Sequence, residues 1–315
     1  MNAPLASAIV AEGLTKTFPG VRAVDALTFD VRAGEIFGLV GPDGAGKTTT
    51  LRMLAGIMTP DAGAARIAGI DVVRRPEQAK HALSYMPQRF GLYEDLTVDE
   101  NIRFYADLFG VKRADREART AELLRAAGMS EFRKRLAAKL SGGMKQKLGL
   151  VCALIHRPEV ILLDEPTTGV DPASRRDFWR ILYELLREGV AILTSTAYLD
   201  EAERCHRVAL LHQGRLLFCD TPPNLKSRLG KGVLSIATSD PRAVRTRLEG
   251  ADGISSLVMN GDGLHLVVDD PGRRIPQIVD LLKAAQAPCD SVHEVAPTIE
   301  DLFVDAVETQ GAGRA

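Results

Sequence analysis

The segment GPDGAGKT, at residues 41–48, constrains the fold of this chain more than any other stretch. It lies between the apolar run EIFGLV and the helical run TTTLRMLAGIM, in the order strand, glycine-rich turn, helix. In that order the backbone N–H groups surround a phosphate, the helix N-terminus adds its dipole, Lys47 neutralises phosphate charge and the Thr48 hydroxyl can bind Mg²⁺. An ordinary glycine-rich turn would need neither the strand nor the helix. The segment therefore predicts a nucleotide-binding α/β fold.

A second pair of candidate residues ends the apolar run VILLDEP at residues 160–166. A buried strand that ends in two acids is costly unless the acids meet a cation or a polarised water. Ligands of α/β sheets bind at the carboxyl ends of the strands. Asp164 is therefore predicted to bind Mg²⁺, and Glu165 to orient the water that attacks the phosphate. The alternative is a strand end whose acids are simply solvated.

The order of apolar runs predicts an α/β core interrupted by helices. EVILLD, VAILTS and RVALLH, all after Leu140, are short apolar and β-branched runs of the kind found in fully buried parallel strands. Before them, charged helical patterns such as VDENIRFYADLFG predict a helical subdomain over about residues 90–157. Thr97 and Glu100 predict a capping box at the start of its first long helix.

A smaller unit follows the break at Pro222 and Pro223. The sequence then reads in order as strand, helix, hairpin, helix and strand, with a last helix in IEDLFVDAVE. This β-α-β-β-α-β order predicts a small α+β domain of the ferredoxin-like kind. We therefore expect one domain over residues 8–225 and a C-terminal domain over residues 231–310, whose strands carry no catalytic cluster.

The overall charge and hydropathy limit the possible partners. Forty basic residues against 41 acidic ones leave a net charge of -1, which gives no bulk electrostatic reason to bind nucleic acid. No apolar run reaches the ~18 residues of a membrane span, so the chain is not expected to cross a membrane by itself. Any anion site must be local.

The segment LSGGMKQ, at residues 140–146, is the most specific motif in the chain. Ser141 is predicted to cap a helix whose glycines expose N–H groups, which makes a second anion site. Together with GPDGAGKTT, YMPQ and GVDP, this segment resembles the ATP-binding cassette of an ABC transporter over about residues 8–225. The resemblance implies a P-loop NTPase fold with a mixed sheet core and a helical subdomain, and it implies ATP and Mg²⁺ as cofactors.

The resemblance also implies partners. In this family the segment that matches LSGGMKQ, which we call the signature segment, clamps the γ-phosphate held by an opposite cassette. A second cassette is therefore expected, either the same chain or a different one. A separate integral membrane permease is expected too, which would hold the chain at the cytoplasmic face of the membrane. Residues implied to touch nucleotide are Phe18, Gly41, Asp43, Gly44, Ala45, Gly46, Lys47, Thr48, Thr49, Ser141, Gly142, Gly143, Gln146 and Asp171.

Several of these assignments have plainer alternatives. Phe18 resembles the aromatic residue that stacks on adenine, but it could be a core ring near a turn. Gln88 resembles the glutamine that touches Mg²⁺ or water, but it could be a surface residue. Asp171 resembles the loop acid that contacts the partner's site, although Asp-Pro also begins helices. Three aromatic residues match the surface on which the family docks permease helices, or else pack in the core of the insertion: Phe90, Tyr93 and Phe104.

Ala197 departs from the family pattern. Family members usually carry a histidine there, which contacts the γ-phosphate and keeps the water and Glu165 in register. Losing one positioned donor of this kind costs about 3 kcal/mol of transition-state stabilisation. The immediate neighbours of Ala197 are expected to point elsewhere, and His206 is expected about two turns along the next helix. Nucleotide binding should survive, and turnover should suffer.

Alanine at position 197 narrows the resemblance to the first cassette of fused two-cassette multidrug or organic-cation exporter ATPases, where a residue other than histidine occurs at the corresponding position. The ending PTIEDLF also resembles the tail of drug-exporter ATP-binding subunits, whose small C-terminal domain helps subunits pair. The leading interpretation is therefore an exporter ATPase subunit. A nucleotide-gated, poorly hydrolysing regulatory cassette and a soluble cassette ATPase acting on ribosomes or DNA stay open as alternatives.

Overall fold

A computed structural model of the protein describes residues 7–261 and 263–312. This part of the chain divides into two compact units. The first holds the residues up to 201 together with 205–216, and the second holds residues 202–204 together with those from 217 onward. In the described ranges, none of the helices combines the length and the apolar character needed to cross a lipid bilayer.

The first unit alternates strands and helices. Its strands are β1 (Ser7–Phe18), β2 (Val21–Arg32), β3 (Ile36–Val40), β4 (Ala62–Ile67), β5 (Ile70–Asp71), β6 (Leu83–Met86), β7 (Val160–Asp164), β8 (Ala191–Thr196) and β9 (Arg207–His212). Its helices are α1 (Lys47–Leu54), α2 (Pro76–Ala82), α3 (Val98–Leu108), α4 (Arg113–Ala126), α5 (Gly142–Leu154), α6 (Pro172–Leu186) and α7 (Leu199–Ala202). Two of the elements cross the boundary between the units: α7, whose last residue belongs to the second unit, and strand β10 (Arg215–Asp220).

The central sheet positions the site. Its order is β10-β9-β3-β8-β7-β6, and the pairs from β9 to β6 are parallel. Strands β3, β7 and β8 are buried along their whole length. For β7 and β8 this confirms the prediction of buried parallel strands, and β9, which was predicted in the same way, is buried except at its two end residues. Because parallel strands end at one edge of the sheet, the turns after β3, β6, β7 and β8 meet there.

A second sheet, in the order β2-β1-β4-β5, is antiparallel. The sequence predicts only part of it, because β1 lacks a clean alternation of apolar and polar residues. The β1–β2 register shifts between Ala11 and Leu14. Gly13 lies within that shift with a φ of 60°, in the left-handed region that glycine adopts freely.

The predicted capping box begins α3. The Thr97 hydroxyl accepts a hydrogen bond from Glu100 N at 3.2 Å, and Glu100 Oε2 accepts one from Thr97 N at 2.8 Å. Buried Asn101 holds the preceding loop, since its Nδ2 donates to Tyr93 O at 3.0 Å and its Oδ1 accepts from Tyr93 N at 2.9 Å. Helices α3, α4 and α5 all lie between β6 and β7 along the chain.

The second unit has its own sheet and core. Its elements are α8 (Pro222–Ser227), β11 (Gly232–Ala237), α9 (Pro241–Leu248), β12 (Ile254–Asn260), β13 (Gly263–Val268), α10 (Pro271–Ala284), β14 (Ser291–Val295) and α11 (Ile299–Ala312). The sheet order β12-β13-β11-β14, antiparallel throughout, is that of a split β-α-β-β-α-β module. Its buried core includes Leu234, Leu264 and Leu266 from the sheet, with Leu248 and Leu282 from α9 and α10.

Candidate nucleotide-binding site

The glycine-rich turn between β3 and α1 depends on two backbone conformations that favour glycine. Gly44 and Gly46 have φ values of 78° and 99°, in the left-handed region. A Cβ added to Gly46 would also collide with the carbonyl oxygen of Ala23. Helix α1 then begins at Lys47, so the unpaired N–H groups of its first turn lie next to the loop. The turn has the form of an anion cradle.

Lys47 places a positive charge in the buried part of this loop. Its side chain is 4% exposed, and its Nζ donates to Gly41 O at 2.8 Å and to Pro42 O at 3.1 Å. The same ammonium lies 3.1 Å from Glu165 Oε1. A buried charge needs such partners, and an incoming phosphate would offer Lys47 a further anion.

Asp164, at the end of β7, is the meeting point of three hydroxyl groups. Its carboxylate is almost fully buried. It accepts hydrogen bonds from Thr48 Oγ1 at 3.0 Å, Ser195 Oγ at 2.8 Å and Tyr85 OH at 3.2 Å. Burial, followed by the negative charge of Asp164, raises the pKa of Tyr85 to about 12, so this hydroxyl stays a donor at neutral pH.

These residues fit Mg²⁺. Mg²⁺ prefers oxygen ligands and usually takes one or two from the protein, with phosphate and water supplying the rest. The Thr48 hydroxyl and the Asp164 carboxylate are such a pair. Among the described residues, no group of three or more His, Cys, Asp or Glu side chains could hold a metal ion alone.

Glu165 is held in an uncommon conformation beside this pair. Its φ is 47°, in the left-handed region, which costs a residue other than glycine about 1 kcal/mol or more. Its N–H lies 3.0 Å from Ser195 Oγ and 3.2 Å from Ser195 O. Its Oε2 accepts a hydrogen bond from Gln88 Nε2 at 3.1 Å. Gln88 therefore contacts Glu165, the predicted base, and its contact with Mg²⁺ stays a prediction.

The signature segment forms a helix start at a different place in the first unit. Ser141 caps α5, where its Oγ accepts from Met144 N at 3.3 Å. A Cβ added to Gly142 would meet nothing within 4 Å, whereas one added to Gly143 would lie 2.5 Å from Ser174 Cβ, on α6. Helix α5 thus leaves open space at Gly142 and closely approaches α6 at Gly143.

Asp171 caps α6 beside this segment. Its Oδ1 accepts from Ala173 N at 3.1 Å and from Ser174 N at 2.9 Å. The hydrogen bond from Ser174 N is the main cause of the lowered pKa of Asp171. The helix-start interpretation of this acid is thus correct, and contact with a partner's site stays a prediction. Gln146 lies one turn into α5, and its buried Oε1 lacks a hydrogen-bond partner within the described part of the chain.

The remaining predicted binding residues lie along the loop and at the end of β1. Asp43 is exposed, Ala45 is buried and Thr49 is half-buried on α1. Phe18 ends β1 with a ring that is 39% exposed and lies 6.0 Å from Lys16 Nζ. An exposed ring meets the first requirement for stacking. Its contact with adenine stays a prediction.

Ala197 is exposed immediately after β8. The expectation that His206 lies on a following helix is wrong, because α7 ends at Ala202 and β9 begins at Arg207. His206 Nδ1 instead accepts a hydrogen bond from Ile36 N at 3.1 Å. Ile36 begins β3, whereas the phosphate loop follows the other end of that strand. His206 therefore cannot replace a side chain at position 197.

Sequence reasoning missed Ser195 and Tyr85. Both lie at the carboxyl ends of parallel strands, and both donate to Asp164. Ser195 and Thr196 lie on opposite faces of β8, since side chains alternate along a strand. That alternation was the available sequence signal, because it distinguishes Ser195 from Thr196. For Tyr85 the only sequence signal was a hydroxyl group near the end of the short strand β6.

The aromatic residues predicted to dock a permease form a partly exposed cluster. The rings of Phe90 and Tyr105 are tilted by 34° with centres 5.1 Å apart, and the ring of Tyr93 meets that of Phe104 edge-on at 4.6 Å. Tyr93 and Phe104 remain 48% and 39% exposed. An adjacent cavity of about 430 Å³ has mainly apolar and aromatic residues in its wall, among them Ile57, Tyr85, Phe90, Leu108 and Phe109. The cluster thus packs on itself and still exposes apolar surface.

Comparison with known proteins identifies the family. A family model described as ABC transporter matches residues 24–168. The chain is 43% identical over 312 residues to the probable multidrug ABC transporter ATP-binding protein YbhF of Escherichia coli (strain K12), covering 98% of this chain and 53% of YbhF. It is 38% identical over 286 residues to the daunorubicin/doxorubicin resistance ATP-binding protein DrrA of Streptomyces peucetius, covering 89% of this chain and 87% of DrrA.

A solved structure titled as the ATP binding subunit of an ABC transporter superposes with a TM-score of 0.66 at 33% identity, covering 71% of this chain and 94% of that one. The chain thus spans about half the length of YbhF and most of the length of DrrA. The fold is that of an ABC ATPase cassette, and the chain belongs to the ATP-binding proteins of ABC transporters.

Proposed function

We propose that this chain is the ATP-binding subunit of an ABC exporter, which energises a separate membrane permease and has a weakened hydrolytic site of its own. The supporting observation is one cluster in which Lys47 meets Glu165 at 3.1 Å while Thr48 meets Asp164 at 3.0 Å. The cluster combines the groups needed to hold phosphate, Mg²⁺ and an attacking water. The names of YbhF and DrrA, a multidrug transporter protein and a drug-resistance protein, support the assignment to export.

When bound, Mg-ATP would supply the phosphoryl group and the metal charge that polarises it. Lys47 would neutralise phosphate charge, and Thr48 and Asp164 would hold Mg²⁺. Glu165 would hold the attacking water, with Gln88 fixing the carboxylate from the other side. Ala197 provides no donor near this water, which supports slow turnover at this site.

The signature segment supports pairing with a second cassette. Gly142 opens onto free space at the start of α5, so the helix N-terminus is available to an anion from outside this chain. We assign Ser141, Gly142, Gly143 and Gln146 to the nucleotide of that partner. The coverage of about half of YbhF supports a resemblance to one cassette of a longer protein, and we propose the first cassette because of Ala197.

The exposed aromatic cluster supports contact with the permease. Tyr93, Phe104 and Leu108 expose apolar surface beside the cavity lined by Phe90, and an apolar groove of this kind suits a short amphipathic helix. Such a contact would keep the chain at the cytoplasmic face of the membrane as a peripheral subunit. The domain at residues 231–310 is proposed to help subunits pair.

The second candidate function is a nucleotide-gated regulatory cassette, which Ala197 favours because binding needs no residue at that position. Titration of Mg-ATP into the purified chain tests the phosphate site that both functions need, with Lys47→Ala and Lys134→Ala, an exposed lysine, as matched variants. We expect Lys47→Ala to weaken ATP binding about 100-fold, since it removes charge-assisted hydrogen bonds worth about 3 kcal/mol together. Lys134→Ala should bind like the wild type. Equal ATP affinity for all three proteins would refute the phosphate-site assignment. A separate assay of ATP turnover distinguishes the exporter subunit, which must hydrolyse ATP, from the regulatory cassette.

A further inference from the structure

A buried carboxylate links the two chain segments that flank Glu165 and Ala197. Glu201, on α7, is 1% exposed and follows Ala197 by four residues. Thr167, also 1% exposed, follows Glu165 by two residues. Thr167 Oγ1 donates to Glu201 Oε1 at 2.5 Å. The hydrogen bond therefore joins the segment after β8 to the segment after β7.

Arg175, in the first turn of α6, adds a charge to the same link. Its Nε lies 3.5 Å from Glu201 Oε1, and its guanidinium lies 4.9 Å from the centre of the Tyr198 ring. A carboxylate is costly to bury without partners, and Thr167 and Arg175 provide them. Tyr198 comes directly after Ala197, so Arg175 contacts the segment after β8 both at Tyr198 and at Glu201.

This link fixes the middle of a loop whose two ends carry predicted site residues. The loop runs from Glu165 to Asp171, and Val170 N donates to Thr167 O at 3.1 Å within it. Its start is held by the hydrogen bond from Glu165 N to Ser195 Oγ at 3.0 Å. Thr167 is the next anchor along the chain. Moving Thr167 would therefore shift Glu165 on one side and Asp171 on the other.

We propose that Glu201 is a positioning residue for ATP hydrolysis. Glu201 belongs to the segment after β8, in which Ala197 provides no functional side chain, and it holds the loop at residues 165–171 in place. It acts through Thr167 and Arg175 and does not touch nucleotide. The inference rests on the proposed function, since the reaction that it serves is hydrolysis at the phosphate loop. A purely fold-stabilising ion pair is the competing explanation, and it predicts loosening throughout the first unit.

Amide hydrogen exchange of the full chain separates these explanations without nucleotide. We compare the wild type with Glu201→Gln, which removes the charge, with Thr167→Val, which removes only the hydroxyl, and with Glu203→Gln, an exposed acid on the same segment. Exchange at residues 165–171 should rise about tenfold or more in the first two variants, because each weakens a buried bond to a charged group. Exchange in α1 should not change, and Glu203→Gln should match the wild type. Unchanged exchange in the loop, or an equal rise in α1, would overturn the proposal.

Single-turnover hydrolysis with protein in excess over ATP gives the second readout. Glu201→Gln and Thr167→Val should slow the chemical step about tenfold while the ATP dissociation constant stays within about twofold of the wild type. In a Glu165→Gln background, Glu201→Gln should cause no further loss of rate, because the residue that it positions has already been removed. A loss of affinity as large as the loss of rate would contradict positioning. If the wild type bound no ATP, the proposed function would fail while the exchange result would still decide whether Glu201 holds the loop.

Discussion

Substituting alanine at Gly143 should destabilise the first unit, whereas the same substitution at the adjacent Gly142 should not. A Cβ at Gly143 would lie 2.5 Å from Ser174 Cβ, and that atom is one bond from the backbone of α6. Rotating the Ser174 side chain cannot relieve the contact, so α5 or α6 must move. Overpacking of this kind costs about 1–3 kcal/mol. A Cβ at Gly142 would meet nothing within 4 Å.

Helix propensity favours alanine over glycine at both positions. Replacing glycine by alanine inside a helix gains up to about 1 kcal/mol, and less at a first helical residue such as Gly142. Gly143→Ala should therefore destabilise the first unit by about 1–2 kcal/mol, while Gly142→Ala should leave it unchanged or slightly more stable. The two variants carry the same added methyl group, so each is the control for the other.

Urea unfolding followed by tryptophan fluorescence measures this difference. Trp179 is the only tryptophan in the sequence, and it is buried on α6, five residues after Ser174. Its signal thus reports the unit that contains the contact. The midpoint for Gly143→Ala should fall by roughly half a molar or more relative to Gly142→Ala. Equal midpoints, or a lower midpoint for Gly142→Ala, would refute the close approach of α5 and α6.

Three further predictions test the site, the cap and the division of the chain. If the partner is a different cassette, Ser141→Arg should block ATP turnover of the reconstituted complex, because it adds bulk and charge at the partner's γ-phosphate, while Glu165→Gln should cost much less; equal losses would contradict the asymmetry. Asp171 has a lowered pKa when folded, so its contribution to stability is complete above its unfolded value of 3.8 and is lost as the pH falls through the folded pKa. Asp171→Asn should therefore reduce the acid dependence of the urea midpoint below about pH 4, and an unchanged dependence would exclude this cap as a cause. Removing the residues beyond Gly230 should leave a folded chain that still binds ATP, and a soluble product without ATP binding would show that the C-terminal domain contributes to the site.

The parts of the fold that sequence could predict were those with strong local signals. The apolar runs of β3, β7 and β8 are short, continuous and bounded by turns, and the capping box at Thr97 is read from two residues. Strand β1 was missed because its register shift at Gly13 breaks the alternation on which strand prediction depends. His206 was misplaced because the acidic run after Ala197 resembles a long helix, whereas α7 spans only Leu199–Ala202.

The contacts between distant segments could not be predicted. Ser195 reaches Asp164, and Glu201 reaches Thr167, across more than 30 residues of sequence in each case. Neither pair forms a motif, because the partners meet only after parallel strands bring their carboxyl ends to one edge of the sheet. Lys47, Thr48, Asp164 and Glu165 could be paired in advance because each half of that cluster has a recognisable local sequence.

The rate of ATP hydrolysis by the purified chain and by Ala197→His tests the central claim most directly. The structure leaves position 197 exposed with a methyl group, and His206 is bound at the far end of β3. Restoring one positioned donor worth up to about 3 kcal/mol should raise single-turnover hydrolysis by about 10-fold to 100-fold without changing ATP affinity. Glu165→Gln in the same variant should abolish the gain. Fast hydrolysis by the wild-type chain alone, equal to that of Ala197→His, would contradict the claim and show that Glu165 needs no partner at position 197.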